Sequence, residues 1–311
     1  MNRSAKELEP TWLPEVSKTT SGTVGSLAVD LTEIESSVTA ALSAIAKLDI
    51  GAGKVTVITG APGAGKSSLI YRLLEQYSAR GERVGAVLID PRSSVTGGAV
   101  LGDRVRMLGA EANPKVFIRS VAARSGSEGV GIVAPIMAWA ILNAGYDHVF
   151  IESVGIGQQE LDVAKRGEVL ALVLGPDSGD WVQFIKSGIL DLCNLIAVSK
   201  ADKGTDKIVA QIEQGVHLQS FRAKPVSVCA VSSVSGNGVA SFMAAIDAEH
   251  EMLSKEARTQ LRTAIARDIL VRLVGEQART EFERKLTKYG QSDWEGQVTE
   301  AQQFISTHAG D

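Results

Sequence analysis

The sequence predicts an α/β fold in which a mostly parallel, twisted β-sheet is flanked by helices. Two observations lead to this prediction. From Lys54 onward, short runs of β-branched residues alternate with longer segments that have helical periodicity. In addition, residues 60–68 read GAPGAGKSS, a glycine-rich sequence between the first run and the first helical segment. Parallel strands need a crossover helix between them, so the alternation favours a parallel sheet with helices on both faces.

The composition is that of a globular protein and excludes several partner classes. The chain has 311 residues, of which 44% are hydrophobic, and a formal net charge of −4 with both signs interspersed. Such a balance argues against a nucleic-acid binder. The longest apolar run, residues 130–142, is too short to span a bilayer and contains Pro135, so we expect a buried helix and no membrane partner. Glu7, Glu9 and Glu15 oppose a transit peptide, and we expect a cytoplasmic protein.

Composition divides the chain into three predicted parts. Residues 1–52 comprise an arm and a helix, residues 53–248 form the α/β domain, and residues 249–311 form a helical extension. The extension is rich in Ala, Leu, Glu and Arg at helical spacing. It either packs on the α/β domain or serves as a dimer arm.

The N-terminal part is predicted to contain one helix after a flexible arm. Residues 1 to about 26 are polar and contain two prolines, which is typical of an arm. Residues 31–49 have apolar side chains at helical spacing. Thr32 fits an N-cap, with Glu35 three residues later as in a capping box.

Seven runs in the α/β domain are predicted to be buried strands. They are rich in Val, Ile, Leu and Ala and are bounded by glycine, proline or polar residues. The runs are residues 55–59, 83–90, 115–120, 148–153, 169–175, 194–200 and 225–231. Helical segments between them include residues 67–79 and 130–143.

The glycine-rich sequence fits the phosphate-binding pattern G-x-x-x-x-G-K-[ST]. Glycines allow the backbone to wrap closely around phosphate oxygens, while the N–H groups of the turn and of the following helix face the anion. In this pattern Lys66 reaches the β- and γ-phosphates and Ser67 holds Mg²⁺. The predicted phosphate-binding residues are Gly60, Ala61, Pro62, Gly63, Ala64, Gly65, Lys66, Ser67 and Ser68.

Two later segments favour guanine as the base. Residues 199–202 read SKAD after a predicted strand, so the stem of Lys200 can stack over a purine. The carboxylate of Asp202 can accept two hydrogen bonds that adenine cannot supply, and at roughly 1.5–3 kcal/mol each these favour guanine by about a hundredfold or more. GTPases usually have Asn or Thr where this chain has Ser199, and the shorter serine predicts a looser tie to the phosphate loop. A loop closing over guanine is predicted from SSVSG at residues 232–236 and adds Ser232, Ser233 and Val234.

The segment ESVGIGQQE at residues 152–160 supplies the predicted metal side of the site. GTPases commonly place Asp-x-x-Gly after a buried strand, where the aspartate supports Mg²⁺ and the glycine N–H senses the γ-phosphate. Here the pattern is Glu152-x-x-Gly155, and the longer Glu152 changes the metal geometry. Gln158 follows three residues after the glycine.

Taken together, these segments resemble the MeaB/ArgK family of P-loop GTPases, which includes the human methylmalonic aciduria type A protein. The resemblance covers about residues 54–238 and rests on GAPGAGKSS, IDPRSSVTGGAVLGDRVRM, ESVGIGQQE, GPDSGDWVQFIKSGI and SKAD. Residues 89–107 are the most specific, being close to the family's D-P-S-S-x-x-T-G-G-x-x-L-G-D-[KR]-x-R-M. The resemblance implies a GTP-hydrolysing chaperone that supports cofactor loading and protection of an adenosylcobalamin-dependent acyl-CoA mutase.

The family's switch region corresponds to residues 89–107 of this chain. The resemblance implies that this region reports on the γ-phosphate. The resemblance implies that Asp90 either contacts the groups that bind Mg²⁺ or orients the attacking water. It also implies that Asp103 approaches the metal when the loop closes. A Gly97–Gly98 pair allows the required hinge motion. The expected metal-site residues are Ser67, Asp90, Asp103 and Glu152.

A third switch that signals to the mutase is implied for GPDSGDWVQFIKSG, residues 175–188. Asp180 and Lys186 occupy its charged positions. The expected catalytic residues are Lys66, Asp90, Glu152 and Lys186, and the expected switch residues are Gly155, Gln158, Asp180 and Lys186. The implied ligands are Mg²⁺, GTP and GDP. The implied partners are the mutase, its adenosyltransferase as a further candidate, and a second copy of the chain in a homodimer.

Three departures from the family pattern leave the client open. Arg92 replaces the usual Ser, residues 124–141 differ from the family's Gly- and Ala-rich version, and the N-terminal extension is short. The client is methylmalonyl-CoA mutase or a relative acting on another branched acyl-CoA. Two other functions compete: a maturation GTPase that delivers another metal such as nickel, which the lack of a His- or Cys-rich tract disfavours, and a P-loop small-molecule kinase.

Overall fold

A computed structural model describes the sheet and most of the helices. The described residues are 24–36, 53–90, 113–122, 129–153, 163–176, 189–219, 226–274, 296–297 and 300–301. Within these ranges a seven-stranded sheet has the order β3-β2-β4-β1-β5-β6-β7, and every pairing is parallel. The strands are β1 Lys54–Gly60, β2 Val84–Asp90, β3 Val116–Ala122, β4 His148–Glu152, β5 Val169–Leu174, β6 Leu195–Val198 and β7 Ser227–Ala230. All seven predicted strands and the predicted fold class are confirmed.

Six α-helices occur in the described part of the chain. The two helices predicted at residues 67–79 and 130–143 begin and end within one residue of their predicted bounds. The helices are α1 Val24–Ser36, α2 Lys66–Ala79, α3 Gly129–Asn143, α4 Asp206–Gln219, α5 Val239–Met252 and α6 Lys255–Val274. Single 3₁₀ turns occupy Ile189–Asp191 and Ala201–Lys203.

The helices cover both faces of the sheet with apolar side chains. On one face, Leu73 of α2 and Phe242 of α5 belong to the same buried cluster as Phe150 of β4. On the other face, α1, α3 and α6 contribute to a second cluster with Val57 of β1 and Ile151 of β4. Because both faces are covered, the central strands are continuous apolar runs, as the sequence shows.

The N-terminal helix differs from its prediction. It begins at Val24, so Thr32 lies inside the helix and is not its N-cap. The Thr32 hydroxyl donates instead to the carbonyl of Ala28 at 2.9 Å, and Glu35 pairs with Arg119 of β3 at 2.8 Å. The physical reason is burial. Leu27, Leu31 and Ile34 lie about one turn apart on one face of the helix and are all buried, and burial of Leu27 favours a helix that begins before it. Residues 1–23 of the predicted arm and residues 37–52 lie outside the described residues.

Helix α3 is the buried apolar helix that the sequence predicts, and it contains Pro135. Proline has no backbone N–H, so the carbonyl four residues earlier, that of Gly131, loses its helical partner. Arg166 occupies this gap, since its Nη1 donates to the Gly131 carbonyl at 2.6 Å. The other guanidinium nitrogen, Nη2, pairs with Asp268 of α6 at 2.8 Å.

The C-terminal helices contact the sheet directly. Ile269 and Leu270 of α6 are fully buried in the cluster that also contains strand residues of β1 and β4. The division at residue 248 and the dimer arm stay predictions. No helix in the described part of the chain is both long enough and apolar enough to cross a membrane.

Candidate nucleotide-binding site

The glycine-rich loop lies at the carboxyl edge of the sheet, between β1 and α2. Gly60, Gly63 and Gly65 all have positive φ angles, of 149°, 74° and 95°. A Cβ atom on Gly60 would also collide with the carbonyl of Val173 in β5. The backbone conformation therefore favours glycine at all three positions, as the phosphate-binding pattern predicts, and at Gly60 the available space requires it as well.

Lys66 is buried at the first position of α2. Its ammonium donates to the carbonyls of Gly60 at 3.0 Å and Ala61 at 3.1 Å, so it lies across the loop. A lysine cation and the positive end of a helix at the same point favour a bound anion. Among the other loop residues Ala64 is buried, while Pro62, Gly63 and Ser68 are exposed.

Ser67 and Glu152 meet at this edge of the sheet. The hydroxyl of Ser67 donates to Oε1 of Glu152 at 2.8 Å. Glu152 ends β4, and its register places it opposite Ile58 of β1, directly beneath the loop. Hydroxyl and carboxylate oxygens are the hard donors that Mg²⁺ prefers, and Glu152 is 8% exposed. The two residues therefore fit the ion that accompanies a nucleoside triphosphate.

The segment SKAD is tied to the phosphate loop. Ser199 donates from Oγ to the Ala64 carbonyl at 2.6 Å and to the Leu174 carbonyl at 3.2 Å. The expectation of a looser tie through the shorter serine is wrong. The physical reason is that the backbone of the loop itself lies within hydrogen-bond distance of the short side chain, at the Ala64 carbonyl.

Lys200 and Asp202 follow directly and meet the second predicted loop. Lys200 is the one described non-glycine residue with a positive φ, 57°. The hydroxyl of Ser232 donates to Oδ1 of Asp202, and this bond holds the pKa of the exposed carboxyl below its usual range. Ser232 is fully buried, whereas Val234 at the loop tip is 81% exposed. The structure thus brings together the two segments predicted to bind the base.

One residue of this region was missed by sequence reasoning. Arg72 of α2 donates from Nε to the carbonyl of Ser233 at 2.6 Å and from Nη2 to the carbonyl of Val234 at 3.4 Å. No motif marks Arg72, because its partners lie 161 and 162 residues away in the chain.

Several predicted site residues are not placed by these contacts. The backbone of Asp90 ends β2, next to β4 in the sheet, but its side chain is not described. The rest of the predicted switch and metal residues lie outside the described residues: Asp103, Gly155, Gln158, Asp180 and Lys186. Their roles stay predictions.

The comparison with protein families decides the affiliation of the chain. The sequence model of the family described as methylmalonyl Co-A mutase-associated GTPase MeaB matches residues 27–287. The chain belongs to the MeaB family. It is accordingly a GTPase with the P-loop fold. The match extends well beyond residues 54–238 and includes α1, α5 and α6, so the flanking helices belong to the MeaB pattern as well.

Relatives agree with the MeaB assignment, and a solved structure agrees with the fold. A relative from Pyrococcus abyssi, whose name describes it as a GTPase, is 34% identical over 259 residues, covering 78% of this chain and 80% of that protein. The mitochondrial methylmalonic aciduria type A homolog of Caenorhabditis elegans is 42% identical over 168 residues, which cover 53% of this chain and 41% of that protein. A crystal structure of a LAO/AO transport system kinase superposes with a TM-score of 0.58 at 21% identity, covering 91% of this chain and 99% of that one. At this identity the superposition shows the fold alone.

Proposed function

We propose that this MeaB-family GTPase is a metallochaperone that couples GTP hydrolysis to cofactor loading and protection of a B12-dependent acyl-CoA mutase. The observation that carries GTP as the nucleotide is the Asp202 carboxylate, held by Ser232 beside Lys200. The mutase as client is supported by the family description, which names an association with methylmalonyl-CoA mutase. It is also supported by residues 89–107, the stretch in which the sequence resembles the family most specifically.

Guanine recognition is proposed for Lys200, Asp202 and the loop at Ser232. The aliphatic stem of Lys200 covers one face of the base. The carboxylate of Asp202 accepts from guanine N1–H and the exocyclic amine. An aspartate is ionised at neutral pH, and the hydrogen bond from Ser232 lowers the pKa of this one further. Adenine has no donor at these two positions, so it leaves the carboxylate unsatisfied.

Phosphate binding and hydrolysis are proposed for the loop, Lys66, Ser67 and Glu152. The backbone N–H groups of the loop and of the start of α2 bind the phosphate oxygens, and Lys66 neutralises the β- and γ-phosphates. Ser67 and Glu152, with Asp90 and Asp103, would hold Mg²⁺, which supplies positive charge against the charge that builds up on the phosphates. Glu152 also holds the Ser67 hydroxyl in place by accepting its hydrogen bond, at 2.8 Å.

The remaining parts of the proposal concern partners and location. A second copy of the chain in a homodimer and the mutase's adenosyltransferase are proposed as further partners. The cytoplasm is proposed as the location. Hydrolysis by the isolated protein should be slow, because the segment after Glu152 does not place a glutamine directly after Gly155.

The test is steady-state GTP turnover with and without a purified B12-dependent mutase. A partner that orders switch loops or adds charge at the γ-phosphate can accelerate slow GTPases by factors that reach roughly 10³–10⁵. We expect the mutase to stimulate turnover. Lys186→Ala should retain GTP binding and basal turnover but show weaker stimulation, since Lys186 is proposed to signal phosphate state outward.

Three outcomes would contradict the proposal or a part of it. Equal stimulation of wild type and Lys186→Ala would reduce Lys186 to a solvated surface charge. No stimulation by any B12-dependent mutase, in a protein that still hydrolyses GTP, would remove the mutase as client and favour a maturation GTPase for another metalloenzyme. GTP-dependent phosphorylation of a small molecule would favour the kinase alternative.

A further inference from the structure

Arg72 joins the phosphate-binding helix to the loop proposed to close over the base. Its Nε contacts the Ser233 carbonyl at 2.6 Å, and its Nη2 contacts the Val234 carbonyl at 3.4 Å. Its Nη1 pairs with Glu75, one turn later on the same helix, at 2.9 Å. The three nitrogens of the guanidinium thus pair with one neighbour on the same helix and with two backbone carbonyls of the loop.

The contact to Ser233 also sets the direction of a backbone donor. A trans peptide is planar, so the carbonyl of Ser233 and the N–H of Val234 point in opposite directions. Because Arg72 holds that carbonyl toward α2, the N–H of Val234 is directed away from α2. The Ser232 carbonyl, which accepts from the N–H of Gly236 at 2.9 Å, sets the direction of the Ser233 N–H in the same way.

The loop closes on itself around these two donors. Ser232 donates from its N–H to the Asn237 carbonyl at 2.8 Å, and the N–H of Ser235 contacts the Ser232 hydroxyl at 3.2 Å. By contrast, no described residue accepts a hydrogen bond from the N–H of Ser233 or Val234. Two neighbouring donors are therefore fixed in direction, beside the carboxylate that Ser232 holds.

We propose that Arg72 is a positioning residue for base selectivity, which aims the N–H groups of Ser233 and Val234 at the 6-oxo group of guanine. The inference rests on the proposed role of Asp202 as the guanine acceptor. The 6-oxo group accepts hydrogen bonds, whereas the 6-amino group of adenine donates them, so the same two N–H groups attract guanine and repel adenine. Arg72 itself does not contact the nucleotide.

Arg72 also fixes the distance between the two ends of the site. It lies six residues after Lys66 on α2, about 9 Å along the helix axis at the usual rise per residue. The base loop is therefore anchored to the same rigid helix whose first turn carries Lys66 and Ser67. This anchoring orders the loop before the nucleotide binds, which lowers the entropic cost of binding.

The experiment measures the affinities of the full-length protein for GTP, ITP and ATP in wild type, Arg72→Ala and Arg72→Lys. ITP keeps the 6-oxo group and lacks the 2-amino group, so it separates the two sides of the base. We expect Arg72→Ala to weaken GTP and ITP equally, by roughly tenfold, which corresponds to about 1.4 kcal/mol. ATP should not be weakened and should bind slightly more tightly, because the released N–H groups no longer face its 6-amino group. Arg72→Lys should rescue part of the loss, because an ammonium can donate to one carbonyl but lacks the fork that spans two.

Two controls separate this role from fold stability. Arg80→Ala removes an ion pair with Asp247, at 2.8 Å, near the far end of the same helix and should leave all three affinities unchanged. Asp202→Ala should weaken GTP more than ITP, because the carboxylate also binds the 2-amino group.

The outcomes distinguish this inference from the proposed function. Equal weakening of GTP, ITP and ATP in Arg72→Ala would mean that Arg72 only stabilises the fold, and unchanged affinities would mean that it does not order the loop. Either result overturns the inference while guanine selectivity stands. Wild-type protein that binds ATP as tightly as GTP would instead overturn the proposed recognition of guanine.

Discussion

Asp202 and Glu152 are carboxylates at the two ends of the candidate site, and their surroundings differ. Asp202 is exposed and accepts from the Ser232 hydroxyl, which lowers its pKa. Glu152 is nearly buried at the end of β4 and accepts from the Ser67 hydroxyl. In the proposed site, Asp202 would accept hydrogen bonds from a base that enters from solvent, and Glu152 would lie in a restricted space beside the phosphates.

Asp202→Asn should change the base that is preferred. The amide can donate to the 2-oxo group of xanthine, while it repels the 2-amino group of guanine, so we expect GTP affinity to fall by about a hundredfold and XTP affinity to rise. Calorimetric titration with both nucleotides measures this. Asp191→Asn is the matched control, because Asp191 is exposed and precedes β6, whereas Asp202 follows it. An unchanged preference in Asp202→Asn would remove Asp202 from the base site.

Glu152→Gln should separate binding from turnover. The amide is nearly the same size, and the loop amides and Lys66 remain, so GTP affinity should change by no more than a few-fold. Hydrolysis should fall by about tenfold or more, since one negative charge at the proposed metal is lost. Steady-state turnover under saturating GTP tests this, with exposed Glu213→Gln of α4 as the control. Turnover equal to that of wild type would place Glu152 outside the reacting site.

At the scale of elements, α3 depends on a side chain from a different segment of the chain. Pro135 leaves the Gly131 carbonyl without its helical partner, and Arg166 supplies the donor. Arg166 is 4% exposed and also pairs with Asp268, so one side chain fastens α3 to α6. A proline inside a helix is tolerated here because the freed carbonyl is satisfied from outside the helix.

A double-mutant cycle tests this coupling. Arg166→Met should lower the free energy of unfolding by about 2–4 kcal/mol, because it leaves a buried carbonyl and the Asp268 carboxylate without the guanidinium. In a Pro135→Ala background, the alanine N–H can bond to Gly131, so Arg166→Met should cost about 1 kcal/mol less. Chemical denaturation gives both values. The control, Asp268→Asn, should lower the free energy of unfolding by the same amount with and without the Pro135→Ala substitution. Strictly additive effects of Arg166→Met and Pro135→Ala on that free energy would contradict the proposed contact.

At the scale of the whole molecule, a buried polar network joins the C-terminal helices to the amino edge of the sheet. Glu168, just before β5, pairs with Arg262 of α6, and Arg262 donates from Nη2 to the Gly53 carbonyl at 2.9 Å. His250 Nδ1 lies 3.3 Å from Glu168, and its Nε2 lies 2.8 Å from the Thr56 hydroxyl. The network lies at the edge opposite the phosphate loop, so it contributes to the fold and not to nucleotide contacts.

His148 shares the Thr56 hydroxyl with His250, also at 2.8 Å. Thr56 has one proton to donate, so the arrangement in which both contacts are hydrogen bonds has Thr56 donating to His250 and His148 donating to Thr56. Burial lowers the pKa of both imidazoles. For His148, the charge of His250 and the Lys54 ammonium lower the pKa further. Glu168 opposes the shift at His250 but does not reverse it.

These shifts predict acid sensitivity with a definite sign. Below the ordinary imidazole pKa of 6.5 the unfolded chain takes up protons at His148 and His250 that the folded chain does not, so stability falls as the pH falls. Each imidazole contributes a slope of up to about 1.4 kcal/mol per pH unit in that window. The lowered pKa of Glu168 adds a second loss below its ordinary value of 4.5.

Urea unfolding across pH tests this, with His148→Phe as the variant. Phenylalanine preserves the aromatic packing, since His148 stacks on Phe150 at 4.3 Å and meets Tyr77 edge-on at 5.0 Å. In the window below pH 6.5, the slope of stability against pH in this variant should be smaller by the contribution of about one proton. The slope at higher pH, where neither ring titrates, serves as the baseline. A slope identical to that of wild type would mean that His148 does not titrate on unfolding.

The sequence by itself determined the sheet, the phosphate loop and the family. These features are local: β-branched runs of strand length, glycines at positions of positive φ, and a lysine and serine at fixed spacing all act over a few residues. The same reasoning was wrong where a distant surface decides the outcome. Thr32 has the chemistry of an N-cap, but burial of Leu27 against α3 and the sheet extends α1 past it.

Only the tertiary structure decided which side chains meet. Ser67 and Glu152 are 85 residues apart, Ser232 and Asp202 are 30 apart, and Arg72 and Ser233 are 161 apart, yet each pair forms a hydrogen bond. The order β3-β2-β4-β1-β5-β6-β7 brings the carboxyl ends of non-consecutive strands to one edge, and no local pattern encodes that order. The physical reason is that propensity and spacing act through the backbone nearby, whereas contacts between distant residues depend on how the helices and strands pack over the shared core.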